Sequence, residues 1–527
     1  MIRLPKLEGF PQDLRNPGTD EIALSYANNW FGCKRVSRVL DNIHRSQISL
    51  EALRNDLLEY DIAYAHPIRD DDVYQLALNS VRRQFVPEEK LIPLTLGGAE
   101  AHPDIPKDRS PGLPWKLKGY KTKGDCIADP IARKTWHTKW DNIGRGRKET
   151  LPDAALFLRA QMAKIGENKI RAVWGFPIDV IIEEARMFYP YIEWIKRTAN
   201  LPVAYQVEMA TGGMAYVNQM IDSFPMGNYV VQDWRKFDKR VPPWLIRDVF
   251  SIILDSFDLG HVLDQEGKIW PVRPERTSKR FSKVVSYFIN TPVRLSSGER
   301  FRKNGGVPSG SMWTNIIDTL VNLVITRYVY FQCTGAFPDA ELYLGDDSFV
   351  ISNGVVNLDD MAALAEKAFG MIINTSKSYV TRTPHNVHFL GYYNRRGMPF
   401  KAQDFLIASF ILPERNVDDN MMRVTRAVGQ MWSTLDGAQA ATWHDLVSDM
   451  MNDFGYSSED VLSHIRSKPG FYKYLRILGI NIREITIPEM SQCGKHGRFL
   501  WQIEAPTTCK RRFQRVEWDY SSLLEPT

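Results

Sequence analysis

The run Leu342-Tyr343-Leu344-Gly345-Asp346-Asp347-Ser348-Phe349-Val350-Ile351 constrains this chain most. Two apolar stretches flank a glycine and a pair of adjacent acids, so the segment reads as strand, tight turn and strand with the aspartates at the tip. Carboxylate oxygens are the ligands Mg²⁺ prefers, and such sites take one or two carboxylates and leave the other positions to water and substrate phosphate. Upstream, Asn228-Tyr229-Val230-Val231-Gln232-Asp233 is a β-prone run ending in an acid, and Asp238 follows five residues later. A strand-end aspartate beside a hairpin that carries two more can supply three carboxylates to a pair of metal ions. That is the arrangement used for in-line phosphoryl displacement.

Between these segments lies Gly305-Gly306-Val307-Pro308-Ser309-Gly310-Ser311-Met312-Trp313-Thr314-Asn315, a glycine-rich loop running into the apolar-periodic stretch Ile316 to Ile325. The spacing predicts a helix there, with Ser309 or Ser311 as its N-cap. A loop of this kind lets backbone N–H groups approach a phosphate or a sugar.

Asp233-x4-Asp238, Ser309-Gly310-x3-Thr314 and Gly345-Asp346-Asp347 resemble, in order, motifs A, B and C of viral RNA-dependent RNA polymerases. Their wording is most similar to polymerases of the partitiviruses, with those of the picobirnaviruses next. Arg109 to Trp115 resembles motif G of that family, Lys169 to Gly175 motif F, Asn374 to Ser378 motif D, and Phe389-Leu390-Gly391 motif E.

The resemblance implies an α+β right-hand polymerase with fingers, palm and thumb, an antiparallel palm sheet and a helical thumb. The N-terminal region, 1–89, is expected to bridge fingers and thumb; 90–222 form fingers, 223–254 the motif-A palm, 255–304 a fingers insertion, 305–412 the rest of the palm, and 413–527 the thumb and tail. The implied activity is template-directed RNA synthesis for a segmented double-stranded RNA virus. Asp233 and Asp346 are the implied ligands of two Mg²⁺ ions, Mn²⁺ being the natural substitute, with Asp347 assisting one ion or orienting the site. Lys377 is the implied proton donor to pyrophosphate. Nucleotide binding falls to Lys169, Arg171, Asp238, Ser309, Gly310, Thr314, Asn315 and Asp318, and template binding to Ser110, Gly112 and Pro114. Asp318 stands where many positive-strand polymerases carry asparagine, and an acid can accept from the 2′-hydroxyl but cannot donate as an amide does. Asn315 and Asn322 are the candidates to share that work. Implied partners are single- and double-stranded RNA, nucleoside triphosphates and a viral capsid protein, around a monomeric enzyme in the virion interior and host cytoplasm. The rival readings are a reverse transcriptase and an inactive RNA-binding virion protein. Asp238 weighs against the first and the intact acids against the second.

A chain of 527 residues is expected to form several subdomains. It has no apolar run long enough for a membrane span and begins without an apolar signal core, so a cytosolic protein is expected. Five scattered cysteines, Cys33, Cys126, Cys333, Cys493 and Cys509, argue for reduced thiols rather than a disulfide framework. Net charge is a mild +5, so any RNA-binding surface must be local. The clusters Lys116 to Lys123 and Arg145 to Lys148 flank the motif-G and motif-F segments and are the candidates; Lys510 to Arg512 is left open. Helical spacing covers Ser37 to Ile43, Leu50 to Leu58, Ile178 to Lys196, Asn357 to Phe369, Asn416 to Leu435, Ala438 to Phe454 and Ser458 to Ser467. The tail, with Trp501, Phe513, Trp518 and Tyr520, is expected to pack on the thumb.

Overall fold

The computed structural model describes residues 1–489 and 500–525; Cys493 lies outside them. Cys33, Cys126, Cys333 and Cys509 are free thiols. No helix among the described residues is long and apolar enough to cross a membrane.

The expected palm is a four-stranded sheet in the order Ala340–Leu344, Asp347–Ser352, Asn228–Gln232, Tyr379–Thr381, antiparallel throughout. Its side chains alternate between two hydrophobic cores. Val230, Tyr343 and Val350 pack with Leu320 and Val324 of the helix Thr314–Thr334, whereas Tyr229, Leu342, Phe349 and Ile351 pack with Trp443, Leu446 and Val447 of the thumb. Both faces are therefore covered, which explains why the strands read as continuous apolar runs. Each fully buried large side chain contributes roughly 1.5–3 kcal/mol.

A second sheet joins strands from the segments expected to form the fingers to one from the N-terminus: Ile2–Leu4, Arg300–Arg302, Pro292–Arg294, Ala154–Ala160, Ile170–Gly175. The motif-F strand Ile170–Gly175 is its edge, paired over six residues with Ala154–Ala160. The insertion after motif A supplies the helix Pro274–Ile289 and the Pro292–Arg302 hairpin, turning at Gly298 with φ 90°. Behind the sheet runs Ile178–Arg197, the expected helix, whose buried residues include Asp179, Glu183, Glu184 and Arg186. Glu183 takes Arg186 of the same helix and Arg280 of a neighbouring one, and one Asp179 oxygen accepts the Trp115 indole N–H at 2.6 Å while the other has no partner.

Thumb helices span Asn420–Ser433, Gly437–Phe454 and Ser458–Ser467, the last opened by a capping box between Ser457 and Asp460. Among the elements that went unread in the sequence are the helix Gln403–Ile411 and a three-stranded sheet His388–Phe389, Tyr392–Arg395, Met398–Phe400. Their runs are too short for periodicity to show. The tail departs from expectation. Trp518 and Tyr520 pack edge-on against Phe337, 5.6 and 5.1 Å away, and Trp518 lies over the Arg327 guanidinium, so this segment covers the back of the palm rather than the thumb. Phe331 and Phe337, at the end of the long palm helix, offer aromatic edges there. Phe513 packs between Tyr216 and Phe224, while Trp501 is 61% exposed.

Candidate active site

Strand register brings the acids together. Ser348 pairs with Gln232 as the last rung of the antiparallel ladder, and Asp233 and Asp347 each lie one residue beyond it at the same end of the sheet. Their charges and that of Asp346 act on one another, which puts the three acids in one cluster. Leu344 pairs with Asp347, leaving Gly345-Asp346 as a two-residue turn in which Gly345 has φ 61°. A glycine with positive φ at the first turn position matches the strand twist. The turn backbone is gripped by the helix Thr314–Thr334: Gly345 N–H donates to Thr319 Oγ1 at 2.8 Å, and Asn322 Nδ2 donates to Gly345 C=O at 3.2 Å.

Crowded carboxylates repel one another, and each therefore holds a proton more tightly. Burial, followed by the charges of Asp238 and Asp233, raises the Asp346 carboxyl above its ordinary value, with Arg171 opposing. Burial pushes Asp347 up to about 7; the Leu390 N–H, donating to its Oδ2 at 2.9 Å, works against the shift and the charges of Asp346 and Asp233 add to it. Asp233 and Asp346 are solvent-accessible. Among the described residues no three His, Cys, Asp or Glu side chains converge closely enough to hold a metal ion by themselves. The donor set nevertheless fits Mg²⁺, which needs few protein carboxylates and favours a site short of positive charge.

Motif B does not form as the capping rule suggests. The helix begins at Thr314 after Trp313 with no side-chain cap. Ser311 instead donates to the buried Glu184 and accepts the Trp313 N–H at 3.1 Å, while Ser309 Oγ accepts the Trp174 N–H at 3.0 Å. Both serines are drawn to tertiary partners. A Cβ on Gly310 would sit 1.4 Å from Trp174 C=O, so this position admits glycine alone. Thr314 donates to Pro308 C=O, and Asn315 accepts from Tyr205 with its amide against the Gly345 turn.

Asp318 is buried, and one of its oxygens has no hydrogen-bond partner. Burial, then the charge of Asp238 and a hydrogen bond between the two carboxyls, raises its pKa well above the carboxylate range. These influences favour the neutral form, which, unlike a carboxylate, has a proton to donate as an amide does. Asn322 is fully buried and spent on Gly345, Trp234 and Thr326, so it takes no part in the shared work expected of it.

Of the basic candidates, the Arg171 guanidinium lies 3.7 Å from the Asp238 carboxylate, and Lys169 pairs with Glu167 at 3.3 Å. Lys377 is exposed on a loop tied to motif A, where Asn374 N–H donates to Asp233 C=O and Asp233 N–H to Ser378 Oγ, each at 2.8 Å. Ser110 is exposed and Pro114 half-buried, but Gly112 is buried with Pro177 Cα 2.8 Å from where its Cβ would be. Lys123 is also buried and donates to Ser110 C=O at 2.5 Å, a brace for the motif-G loop rather than an RNA contact. Arg511 is likewise spent on Leu201 and Val203 carbonyls. Sequence reasoning missed Thr319, Ser378 and Leu390, which hold the acids through backbone groups. A Thr or Ser one helical turn beyond a motif was the available signal for Thr319.

A family model described as viral RNA-dependent RNA polymerase matches residues 33–404. Curated relatives include the RNA-directed RNA polymerases of Atkinsonella hypoxylon virus (isolate 2H), 27% identical over 349 residues, 57% of this chain and 51% of that protein, and of White clover cryptic virus 1, 23% identical over 56% of this chain and 51% of that one. The potential RNA-dependent RNA polymerase of a human picobirnavirus is 25% identical over 41% of this chain and 36% of its own length. The chain thus spans about half the length of the first two of these relatives. The crystal structure of the RNA-dependent RNA polymerase of a human picobirnavirus superposes with a TM-score of 0.62, covering 89% of this chain and 90% of that one, at 16% identity. That likeness establishes the right-hand fold.

Proposed function

The chain belongs to the viral RNA-dependent RNA polymerase family, and on that footing we propose that it copies RNA from nucleoside triphosphates for a segmented double-stranded RNA virus. The observation that carries this reading is the ladder that ends at Gln232 and Ser348, so that Asp233 and Asp347 leave it side by side next to the Asp346 turn. The 3′-hydroxyl of the growing RNA attacks the α-phosphorus; a 3′-O–P bond forms, the bond to the β-phosphate bridging oxygen breaks, and pyrophosphate leaves. Asp233 and Asp346 would hold two Mg²⁺ ions, which when bound activate the attacking oxygen and neutralise the leaving one. Asp347 orients the turn through Leu390. Arg171 and Lys169 meet the triphosphate, a task suited to a planar guanidinium. Asp238 and Asp318, with Ser309, Thr314 and Asn315, surround the ribose, and polar groups that gain a partner from the 2′-hydroxyl select it. Lys377 passes a proton to the departing pyrophosphate, worth about 10²–10⁴-fold for a positioned donor. The fingers would comprise 90–222 and 255–304, the palm 223–254 and 305–412, and the thumb 413–527, with 1–89 bridging fingers and thumb.

Primer extension on a single-stranded RNA template with Mg²⁺ tests this. Wild-type protein should incorporate ribonucleotides in preference to deoxyribonucleotides, and Asp346→Asn should reduce product below detection. An Asp346→Asn variant as active as wild type would remove the assigned chemistry, and a deoxyribonucleotide preference would favour a reverse transcriptase.

A further inference from the structure

The helix Leu50–Leu58 lies outside the seven motif segments, yet the turn that ends it touches three of them. The motif-F strand is the edge of its sheet, and two of its N–H groups, two residues apart, are taken by side chains from elsewhere. Trp174 N–H goes to Ser309 of motif B at 3.0 Å, and Ala172 N–H goes to Asp56 Oδ2 at 2.7 Å. The other Asp56 oxygen accepts from Lys239, the residue that follows motif A. Glu59 shares that ammonium at 2.6 Å and takes Lys236 at 2.8 Å. Tyr60 donates to Val307 C=O at 2.8 Å and Tyr64 to Lys239 C=O at 3.0 Å.

These contacts bear on the neighbours of the residues they hold. Arg171 precedes Ala172, Asp238 precedes Lys239, and the two side chains face each other at 3.7 Å. Alternation on a strand means that fixing the Ala172 backbone fixes the direction of Arg171. The Asp56–Lys239 pair is largely shielded, with 14% and 16% of the side chains exposed, so water screens it less than a surface pair. Burial alone would raise the Glu59 carboxyl; Lys236 and Lys239 outweigh it and bring it below its ordinary value.

We propose that Asp56 is a positioning residue for the incoming nucleoside triphosphate: it clamps motif F to the residue that follows motif A and so sets Arg171, toward the phosphates, against Asp238, toward the ribose. This rests on the nucleotide-binding roles given above. Asp56→Ala removes both bonds, whereas Asp56→Asn keeps an acceptor for Ala172 and loses the charge toward Lys239.

Steady-state incorporation by wild type, Asp56→Ala, Asp56→Asn and the exposed same-helix control Glu51→Ala, each checked by thermal melting, tests the assignment. Asp56→Ala should raise KM for ribonucleotides and narrow the ribo- over deoxyribonucleotide preference, with a roughly 10- to 100-fold loss in kcat/KM of the kind small displacements cause. Asp56→Asn should fall between it and wild type, and Glu51→Ala should match wild type. An Asp56→Ala protein that melts lower but keeps the wild-type KM and sugar preference makes Asp56 a structural brace and overturns the proposal. Unchanged melting, KM and preference overturn it equally. A wild-type chain that makes no RNA sinks the polymerase reading and this role with it.

Discussion

Two populations of acids divide this molecule. Asp153 is buried and meets Arg294 at 3.0 Å and Arg300 at 2.7 Å; Asp20 meets Arg423 at 2.9 Å, Glu183 meets Arg186 and Arg280, and Glu341 meets the fully buried Arg327. Each of these carboxylates has its cation from the chain itself. In the cleft, Asp233, Asp346 and Asp347 face one another, with Asp238 and Asp318 close enough to raise the proton affinity of their neighbours. Here the sequence supplies too little positive charge. The first group braces the fold, and in the second the metal ions proposed above would bring the missing charge.

The contrast can be broken by exchanging what each population loses on neutralisation. The largest effect on stability is expected at Asp153. Asp153→Asn strands two arginine charges in a buried setting and should cost about 3–5 kcal/mol, seen as a lower denaturant midpoint, while incorporation per folded molecule stays near wild type. If instead activity per folded molecule collapsed, the division of roles would be wrong.

An intermediate effect is expected at Glu184, a buried acid with no base beside it. Burial pushes its carboxyl up to about 8, with hydrogen bonds from Ser311 and the Met312 N–H opposing. Its folded-state pKa therefore exceeds the unfolded value of 4.5, so its contribution to stability is full below that value and is lost as pH rises through about 8. Glu184→Gln should flatten the fall in stability over that window, by on the order of 4 kcal/mol across it. Melting curves of the two proteins that remain parallel from acid to mildly alkaline pH would refute this.

The smallest effect is a gain. In metal-free buffer, Asp346→Asn relieves repulsion in the cleft and should raise stability by roughly 1 kcal/mol, although synthesis is lost. A drop in the midpoint would mean that the cleft acids are structural after all.

Much of this division was legible in the sequence. The hairpin, the β-run ending in Asp233, and the helices Leu50–Leu58 and Ile178–Arg197 follow from local pattern, and the order of the motifs points to the family. Ladder register is different: nothing in the local sequence says that Gln232 pairs with Ser348, because that is fixed by how the two cores close on the sheet. The same limit explains the helix start, where local capping chemistry favours Ser309 or Ser311 but tertiary partners Trp174 and Glu184 take both hydroxyls. It also explains Asp56, which looks like any helical surface acid until the edge strand it serves is in view.

Gly345 is held at its N–H and at its C=O by two side chains of a single helix. If the chain copies RNA as proposed, its template must advance one step per cycle, and such double anchoring would make the acid-bearing turn a stator. Displacement has to be carried by parts fastened less firmly, of which the exposed Thr375-Ser376-Lys377 tip is one. Chemistry can then repeat at an unmoving point while the polymer travels past it.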